Sequence, residues 1–294
     1  MDYILIALRL VLKIIDTKIM IMKKTALISA FVVMLLPPLL AGNVFANNIS
    51  SSWIIDQQTK SRLFVGGYDK EKKQLYLGWQ ISLKDGWKTY WRSPGDAGLP
   101  PRWAWTQNRN IQNISIKWPA PKLLHIFDMD TYVYYHEVIL PVTIKVSDIT
   151  KPTSILLNLE YMICAEICIP KEGRYRLDIP DLGHIDVSFF QKALLDRHRA
   201  LVPTVISGNS INVQLDTENM ILIDLPADFK PVDDIIIEGP DGLLFGRPKL
   251  VDTTDKNRFT ASYSGKQAIK GQQLTLTLLR EDGTASETTV TVQP

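Results

Sequence analysis

Apolar and polar residues alternate with a period of two in several short segments of the first half of the chain. Along 74–83, Leu75, Leu77, Trp79 and Ile81 share one face, and polar or small residues share the other. This pattern predicts a half-buried strand of an antiparallel sheet. Strands are predicted at 62–68, 74–83, 111–118, 138–146, 154–163 and 174–179. Because turn residues rather than helices separate them, we expect a β-sandwich.

A helix is predicted at 188–201, where the apolar spacing changes to about 3.6 residues. Its apolar residues are Phe189, Phe190, Ala193, Leu194 and Ala200. Pro203 ends the helical pattern. Beyond it, shorter alternating segments predict strands at 211–215, 220–225, 234–238, 258–263, 273–280 and 288–292.

The distribution of aromatic residues indicates two separate cores. All seven Trp lie between residues 53 and 118, and none lies in 205–294. The sequence therefore predicts an all-β protein with two immunoglobulin-like β-sandwich domains, at 47–183 and 205–294. A short helix in a linker at 184–204 would join them.

Residues 1–46 have the pattern of a secretory signal. Met22, Lys23 and Lys24 precede an apolar run, and small residues ending at Ala46 follow it. We expect translation to start at Met22 and cleavage to follow Ala46. The alternative is an uncleaved anchor, because about 16 apolar residues approach the roughly 20 that span a bilayer. We expect no membrane span in the mature chain.

The charge composition of the chain argues against nucleic acids as partners. The whole chain has 33 Lys plus Arg and 31 Asp plus Glu, and residues 1–46 hold five of the basic and two of the acidic residues. The remainder has 28 basic and 29 acidic residues. Nucleic-acid binding depends on a basic excess or stripe, so we expect no nucleic-acid partner.

The two cysteines of the chain, Cys164 and Cys168, are the strongest candidates for chemistry. Predicted strands flank them, so the three-residue loop between them can bring their Cα atoms within the roughly 4.4–6.8 Å of a disulfide. A redox-active pair, a structural staple and thiolate metal binding are all open. Closing a loop of about five residues contributes only roughly 2 kcal/mol, which weakens the case for a staple.

The surroundings of the cysteines in the sequence predict an electron carrier rather than a strong oxidant. No helix N-terminus, Lys or Arg is evident beside them to lower a thiol pKa, and Glu166 in the loop would raise it. We therefore expect a pair that does not start the reaction itself but reacts with an activated partner by forming a mixed disulfide. The sequence does not specify which cysteine forms that bond.

Four ordered segments resemble a known protein family. They are GWKTYWRSPGDAGLPP at 86–101, WPAP at 118–121, YHEVILPV at 135–142 and CAEICIP at 164–170. They resemble the periplasmic N-terminal region of the thiol:disulfide interchange protein DsbD family, in particular its suppressor-of-copper-sensitivity protein B branch. The resemblance extends over about residues 50–203.

The resemblance implies a protein thiol-disulfide oxidoreductase of the electron-carrier type with an immunoglobulin-like fold. Cys164 and Cys168 match the family's reactive pair, and no cofactor besides their disulfide is implied. In the family a cap loop shields the pair until a partner docks. The residues at the corresponding place are Phe127, Asp128, Met129 and Asp130.

The resemblance also implies the partners. Full-length members continue into a membrane domain and a thioredoxin-like domain, and this sequence contains neither. We therefore expect a periplasmic chain that works with a separate membrane-embedded reductant and a periplasmic thioredoxin-fold protein. The alternative is a non-catalytic copper(I)-binding or assembly scaffold module linked to copper tolerance. Cys164, Cys168 and Met162 would then supply soft ligands for Cu(I).

Overall fold

The structure is a computed structural model that describes residues 49–294 except 184, 218, 227, 228, 230 and 252–256. The predicted signal region, its start at Met22 and its cleavage after Ala46 lie outside the described residues. The described residues belong to one compact unit. Among the described residues, no helix has the length and apolar character that crossing a bilayer requires.

Strands build the first part of the unit. They are β1 (Ile54–Ile55), β2 (Thr59–Asp69), β3 (Gln74–Leu83), β4 (Lys88–Gly95), β5 (Arg102–Trp105), β6 (Ile111–Ile116), β7 (Lys122–Ile126), β8 (Met129–Tyr135), β9 (Glu137–Val146), β10 (Thr153–Cys164) and β11 (Cys168–Ile179). One sheet has the order β1-β2-β3-β9-β6. The other has the order β11-β10-β4-β8-β7, and β5 also pairs with β10.

The core of this first sandwich is centred on Trp79 of β3. Its ring makes edge-to-face contacts with Tyr161 of β10 and Tyr175 of β11, with ring centroids 5.4 and 6.5 Å apart. Leu75 and Leu77 are fully buried on the same face of β3, which confirms the alternation that the sequence shows. Aromatic residues of both sheets therefore hold the two sheets together.

Helix α1 (Phe189–Arg199) follows the first sandwich and lies on the outer face of its β2-β3-β9 sheet. The helix was predicted, but its buried face was predicted wrongly, because Gln191, Leu195 and His198 are buried whereas Phe189 and Phe190 are 77% and 81% exposed. The reason is the orientation of the docked helix, which turns Leu195 onto the sheet. Helix α1 therefore covers the outer face of β3, in addition to the core that covers its inner face.

The second part of the unit is a further set of strands. They are β12 (Thr204–Val205), β13 (Asn212–Thr217), β14 (Met220–Asp224), β15 (Asp234–Glu238), β16 (Leu243–Phe245), β17 (Lys249–Leu250), β18 (Arg258–Gly265), β19 (Gln273–Leu279) and β20 (Ala285–Thr291). They form sheets of order β12-β20-β19-β15 and β13-β14-β18-β16, and β17 also pairs with β18. Ile221, Ile235 and Leu276 are fully buried in its core. The predicted all-β, immunoglobulin-like fold class is confirmed.

Strand β4 was not predicted, although it carries much of the candidate site. Its sequence ends in Pro94 and Gly95, which are typical of turns. The structure places these residues in an irregular stretch of the strand, where the pairing with β8 shifts between Tyr90 and Gly95. The turn residues therefore mark a distortion within the strand, and the strand itself continues to Gly95.

A substitution at Gly66 tests the docking of α1. A Cβ atom there would lie 2.5 Å from Cδ2 and 2.8 Å from Cβ of Leu195. We expect Gly66→Ala to lower the free energy of unfolding by about 1–3 kcal/mol in urea denaturation, as overpacking does. Gly67→Ala is the matched control, because its Cβ would meet the Tyr76 ring at 3.2 Å, a contact that a small ring movement relieves. Equal stability of the two variants would contradict close packing at Gly66.

Candidate functional site

The two cysteines form a disulfide at the tip of the β10-β11 hairpin. The two strands pair continuously from Thr153 opposite Ile179 to Cys164 opposite Cys168. The Cα atoms of the cysteines are 4.1 Å apart, slightly closer than the sequence led us to expect. The two cysteines lie directly opposite each other in the register, an arrangement that brings Cα atoms of antiparallel strands close together.

The two cysteines differ strongly in their exposure. Cys164 is 2% exposed and packs with Tyr90 and Val133. Cys168 is exposed, and so is Ile167 in the loop, at 66%. An incoming thiolate can therefore reach Cys168 from solvent, whereas Cys164 is enclosed by protein.

Strand β4 lies beside the cysteine strand and brings a cation close to it. Its Lys88 is paired with Cys164 across the sheet, and Lys88 Nζ lies 3.4 Å from the carbonyl oxygen of Ala165 in the loop. The expectation that no Lys or Arg lies near the thiols was therefore wrong. The pairing joins residues 76 positions apart in the chain, which local sequence does not show. Burial lowers the pKa of Lys88.

Tyr90 of β4 contacts the disulfide directly. Its hydroxyl donates a hydrogen bond to Cys164 Sγ at 2.8 Å and lies 3.7 Å from Cys168 Sγ. Burial, with a smaller contribution from Tyr135, raises the pKa of Tyr90, so the phenol keeps its proton at neutral pH. When the disulfide opens, this donor is in place to stabilise a thiolate on Cys164.

The backbone around Tyr90 holds the ring in position. Thr89 Oγ1 donates a hydrogen bond to the carbonyl oxygen of Met162 at 2.9 Å, which ties β4 to β10. Gly98 lies against the Tyr90 ring, where a Cβ atom would come within 2.1 Å of Cε1, and its φ is +93°. Only a glycine fits both that contact and that backbone conformation.

The segment that carries both cysteines matches a protein-family model. Residues 55–180 match the family described as thiol:disulfide interchange protein DsbD, N-terminal. Residues 55–180 are a DsbD-type N-terminal domain. Together with the Cys164–Cys168 disulfide, this membership supports a general role in thiol-disulfide exchange and implies thiol-redox partners.

One solved structure extends the comparison of fold beyond the DsbD-type domain. The N-terminal periplasmic domain of ScsB from Proteus mirabilis matches with a TM-score of 0.67 and 22% identity, covering 84% of this chain and 99% of that one. The DsbD N-terminal domain of Neisseria meningitidis in the reduced form matches with a TM-score of 0.25 and 17% identity, covering 41% of this chain and 83% of that one. No curated protein matches the chain.

The residues predicted as the cap loop of the DsbD-type domain form a tight turn and the start of a strand. Phe127 and Asp128 connect β7 to β8 with φ values of +52° and +58°, as in a type I′ hairpin, and Met129 and Asp130 begin β8. Phe127 is 88% exposed. The turn lies beyond Met129, and six steps of about 3.3 Å separate Met129 from Tyr135 at the cysteine end of β8. Phe127 therefore does not cover the disulfide in this structure.

Met162, the third candidate ligand for copper, lies near the cysteine pair. It packs against the cluster that contains Cys164 and stands two residues before it on β10, hence on the same face of the strand. The described residues contain no group of three or more His, Cys, Asp or Glu side chains that could hold a metal ion. The candidate ligands for a metal ion at this site are thus the thiolates of the two reduced cysteines and the thioether of Met162.

The hydrogen bond from Tyr90 gives the first prediction for this site. We expect Tyr90→Phe to raise the pKa of the Cys164 thiol in the reduced protein by about one to two pH units. A hydrogen bond to an ionised group contributes about 1.5–3 kcal/mol, and one pH unit corresponds to about 1.4 kcal/mol. The ultraviolet absorbance of the thiolate, followed as a function of pH, measures the change.

Tyr135→Phe is the matched control for that titration. Tyr135 packs against the same cluster, and no hydrogen bond joins its hydroxyl to either sulfur among the described contacts. We expect its titration curve to follow that of the wild type. Identical curves for Tyr90→Phe and the wild type would show that the phenol does not stabilise the thiolate.

The position of Phe127 gives the second prediction. We expect Phe127→Ala to leave the rate at which dithiothreitol cleaves the disulfide within about twofold of the wild-type rate, because an 88% exposed side chain shields nothing. A stopped-flow or quenched thiol assay measures this rate. A much faster cleavage of the variant would show that Phe127 closes over the disulfide in solution, as a cap.

Proposed function

We propose that this protein is a periplasmic thiol:disulfide interchange protein that carries electrons between a membrane-embedded reductant and periplasmic disulfide proteins. The observation that carries the proposal is the asymmetric disulfide, in which Cys168 is exposed and Cys164 is buried against the Tyr90 hydroxyl. A purely structural bond needs neither an accessible sulfur nor a donor aimed at the other sulfur.

The chemistry begins at the exposed sulfur. A partner thiolate attacks Cys168 Sγ, so that a bond forms between the partner's sulfur and Cys168 while the Cys164–Cys168 bond breaks. Cys164 leaves as a thiolate, which accepts the hydrogen bond of Tyr90. Lys88, paired with Cys164, adds a positive charge beside the same strand.

The second half of the exchange completes the transfer. The partner's second thiol, once deprotonated, attacks the partner sulfur of the mixed disulfide and releases Cys168 as a thiolate. Two electrons and two protons have then moved from the partner to the cysteine pair, and the partner has become a disulfide. The reverse sequence, begun by Cys168, reduces the disulfide of a second protein.

The partner classes follow from the same chemistry. Both the reductant and the acceptor need a reactive thiol that reaches an exposed sulfur, which is what a thioredoxin-fold protein offers. The match to the N-terminal periplasmic domain of ScsB, together with the leader pattern of residues 1–46, supports a periplasmic location. The domain in this role is an electron-carrier oxidoreductase whose redox group is its own disulfide.

A trapping experiment tests the proposal. We expect Cys164→Ser to accumulate a covalent complex with a periplasmic thioredoxin-fold protein, because Cys168 remains reachable and the resolving thiol is gone. Cys168→Ser is the matched control and should accumulate little complex, since Cys164 is 2% exposed. Non-reducing electrophoresis and mass spectrometry identify the linked cysteine. If neither variant is trapped, the exchange function is wrong.

A second candidate function is copper(I) binding or a scaffold role, favoured by the packing of Met162 in the cluster of Cys164. The reduced thiolates and the thioether would form a soft donor set for Cu(I). Copper uptake by the reduced wild-type protein, lost in Met162→Leu and accompanied by no trapped complex, would support chelation in place of exchange.

A further inference from the structure

A cluster of charged side chains joins β4 of the first sandwich to the second sandwich. Arg92 Nε donates hydrogen bonds to both carboxylate oxygens of Glu238 at 3.0 and 3.1 Å, and its Nη2 contacts Glu238 Oε2 at 2.6 Å and also Glu287 Oε2. The Arg92 side chain is only 24% exposed, and the two glutamates are 22% and 25% exposed. Arg92 also lies over the Trp91 ring, 4.5 Å from its centroid.

This cluster fixes the direction as well as the position of the Arg92 side chain. A guanidinium is planar, and bonding to both oxygens of one carboxylate allows one orientation only. Glu238 ends β15 and Glu287 lies in β20, so two strands of the second sandwich hold the same group. The partly shielded location keeps these charge-assisted bonds stronger than surface ion pairs.

Arg92 is two residues from Tyr90 on β4. The segment after Arg92 borders a cleft of about 510 Å³ that lies between the two sandwiches, and Pro94 and Asp96 are among its lining residues. The pairing of β4 with β8 is irregular between Tyr90 and Gly95. Trp91 within this stretch is fully buried, and the ladder resumes where Gly95 pairs with Thr131. Between Tyr90 and Gly95, where the pairing is irregular, the Arg92 cluster attaches β4 to the second sandwich.

The neighbouring strand is attached to the second sandwich as well. Tyr132 of β8 donates a hydrogen bond from its hydroxyl to Asp234 Oδ2 at 3.2 Å, and Arg247 Nε binds Asp234 Oδ1 at 2.9 Å. Val133, the next residue of β8, pairs with Tyr90. The second sandwich thus contacts both strands of the ladder that supports the Tyr90 ring.

We propose that Arg92 is a positioning residue for the redox site, through which the second sandwich holds β4 so that the Tyr90 hydroxyl reaches Cys164 Sγ. The second sandwich then contributes to the reactivity of the cysteine pair in thiol-disulfide exchange. This inference rests on the proposed function, because it assigns Arg92 a role in the reactivity of the same cysteine pair. Arg92 touches neither sulfur and acts only through β4.

The test measures how fast dithiothreitol cleaves the disulfide. We expect Arg92→Gln to slow the cleavage by roughly three- to tenfold, because a leaving thiol with a higher pKa departs more slowly. Arg92→Lys keeps the positive charge but loses the bidentate contact with Glu238, and its cleavage rate should lie between those of Arg92→Gln and the wild type. Glu287→Gln leaves the Glu238 contacts in place and should slow cleavage by about twofold, which provides a milder variant if Arg92→Gln does not fold.

A double-mutant cycle with Tyr90→Phe separates positioning from general loosening of the fold. If Arg92 acts through Tyr90, Arg92→Gln has no further effect on the cleavage rate once the phenol is removed. Arg62→Gln is the matched control, because Arg62 is a partly buried arginine of the other sheet that bonds Gln80 at 2.9 Å. We expect that control to cleave at the wild-type rate.

Two results would overturn the inference. One is a folded Arg92→Gln protein whose disulfide is cleaved at the wild-type rate. The other is an equal loss of rate in the wild-type and Tyr90→Phe backgrounds, which would indicate a structural effect unrelated to the phenol. Because dithiothreitol replaces a protein partner in this assay, failure of the proposed function would appear separately, as a wild-type protein that no thioredoxin-fold protein traps.

Discussion

The hydrogen bond between the Tyr90 hydroxyl and Cys164 Sγ depends on three strands that are distant in sequence. β10 supplies the sulfur, β4 supplies the phenol, and β8 supports β4 from the other side. Gly98 leaves room for the ring, and Thr89 ties the two adjacent strands together. The site is therefore a product of sheet order, and a change in the pairing of any of these strands would separate the donor from the sulfur.

The difference in exposure suits the two cysteines to different steps of thiol-disulfide exchange. An exposed sulfur is suited to being attacked, whereas a buried sulfur beside a neutral donor is suited to leaving. Burial of Cys164 disfavours a thiolate at that sulfur, and the Tyr90 hydroxyl and the charge of Lys88 favour one. The balance of these opposing contributions fits a carrier, which has to accept and give up electrons with similar ease.

The pattern of apolar, polar and turn residues was sufficient to predict the features that depend on neighbouring residues of the chain. The alternation along β3, the hairpin that joins the cysteines and the all-β class followed from spacing and turn residues. The approach of Lys88 to Cys164, the contact of Tyr90 with the sulfur and the extent of β4 did not, because each depends on the pairing of distant strands. The buried face of α1 was missed because the exposed Phe189 and Phe190 dominate its apolar pattern, whereas docking turns Leu195 inward.

The uninterrupted ladder between β10 and β11 has a consequence for how the molecule changes state. Twelve residue pairs connect the strands, and only the last pair carries the sulfur-sulfur bond. Reduction breaks the covalent link at that last pair, and the backbone pairing of the other residues does not depend on it. In the proposed carrier function, little free energy would then go into rearranging the backbone, and a docking protein would have to distinguish the two oxidation states at the hairpin tip.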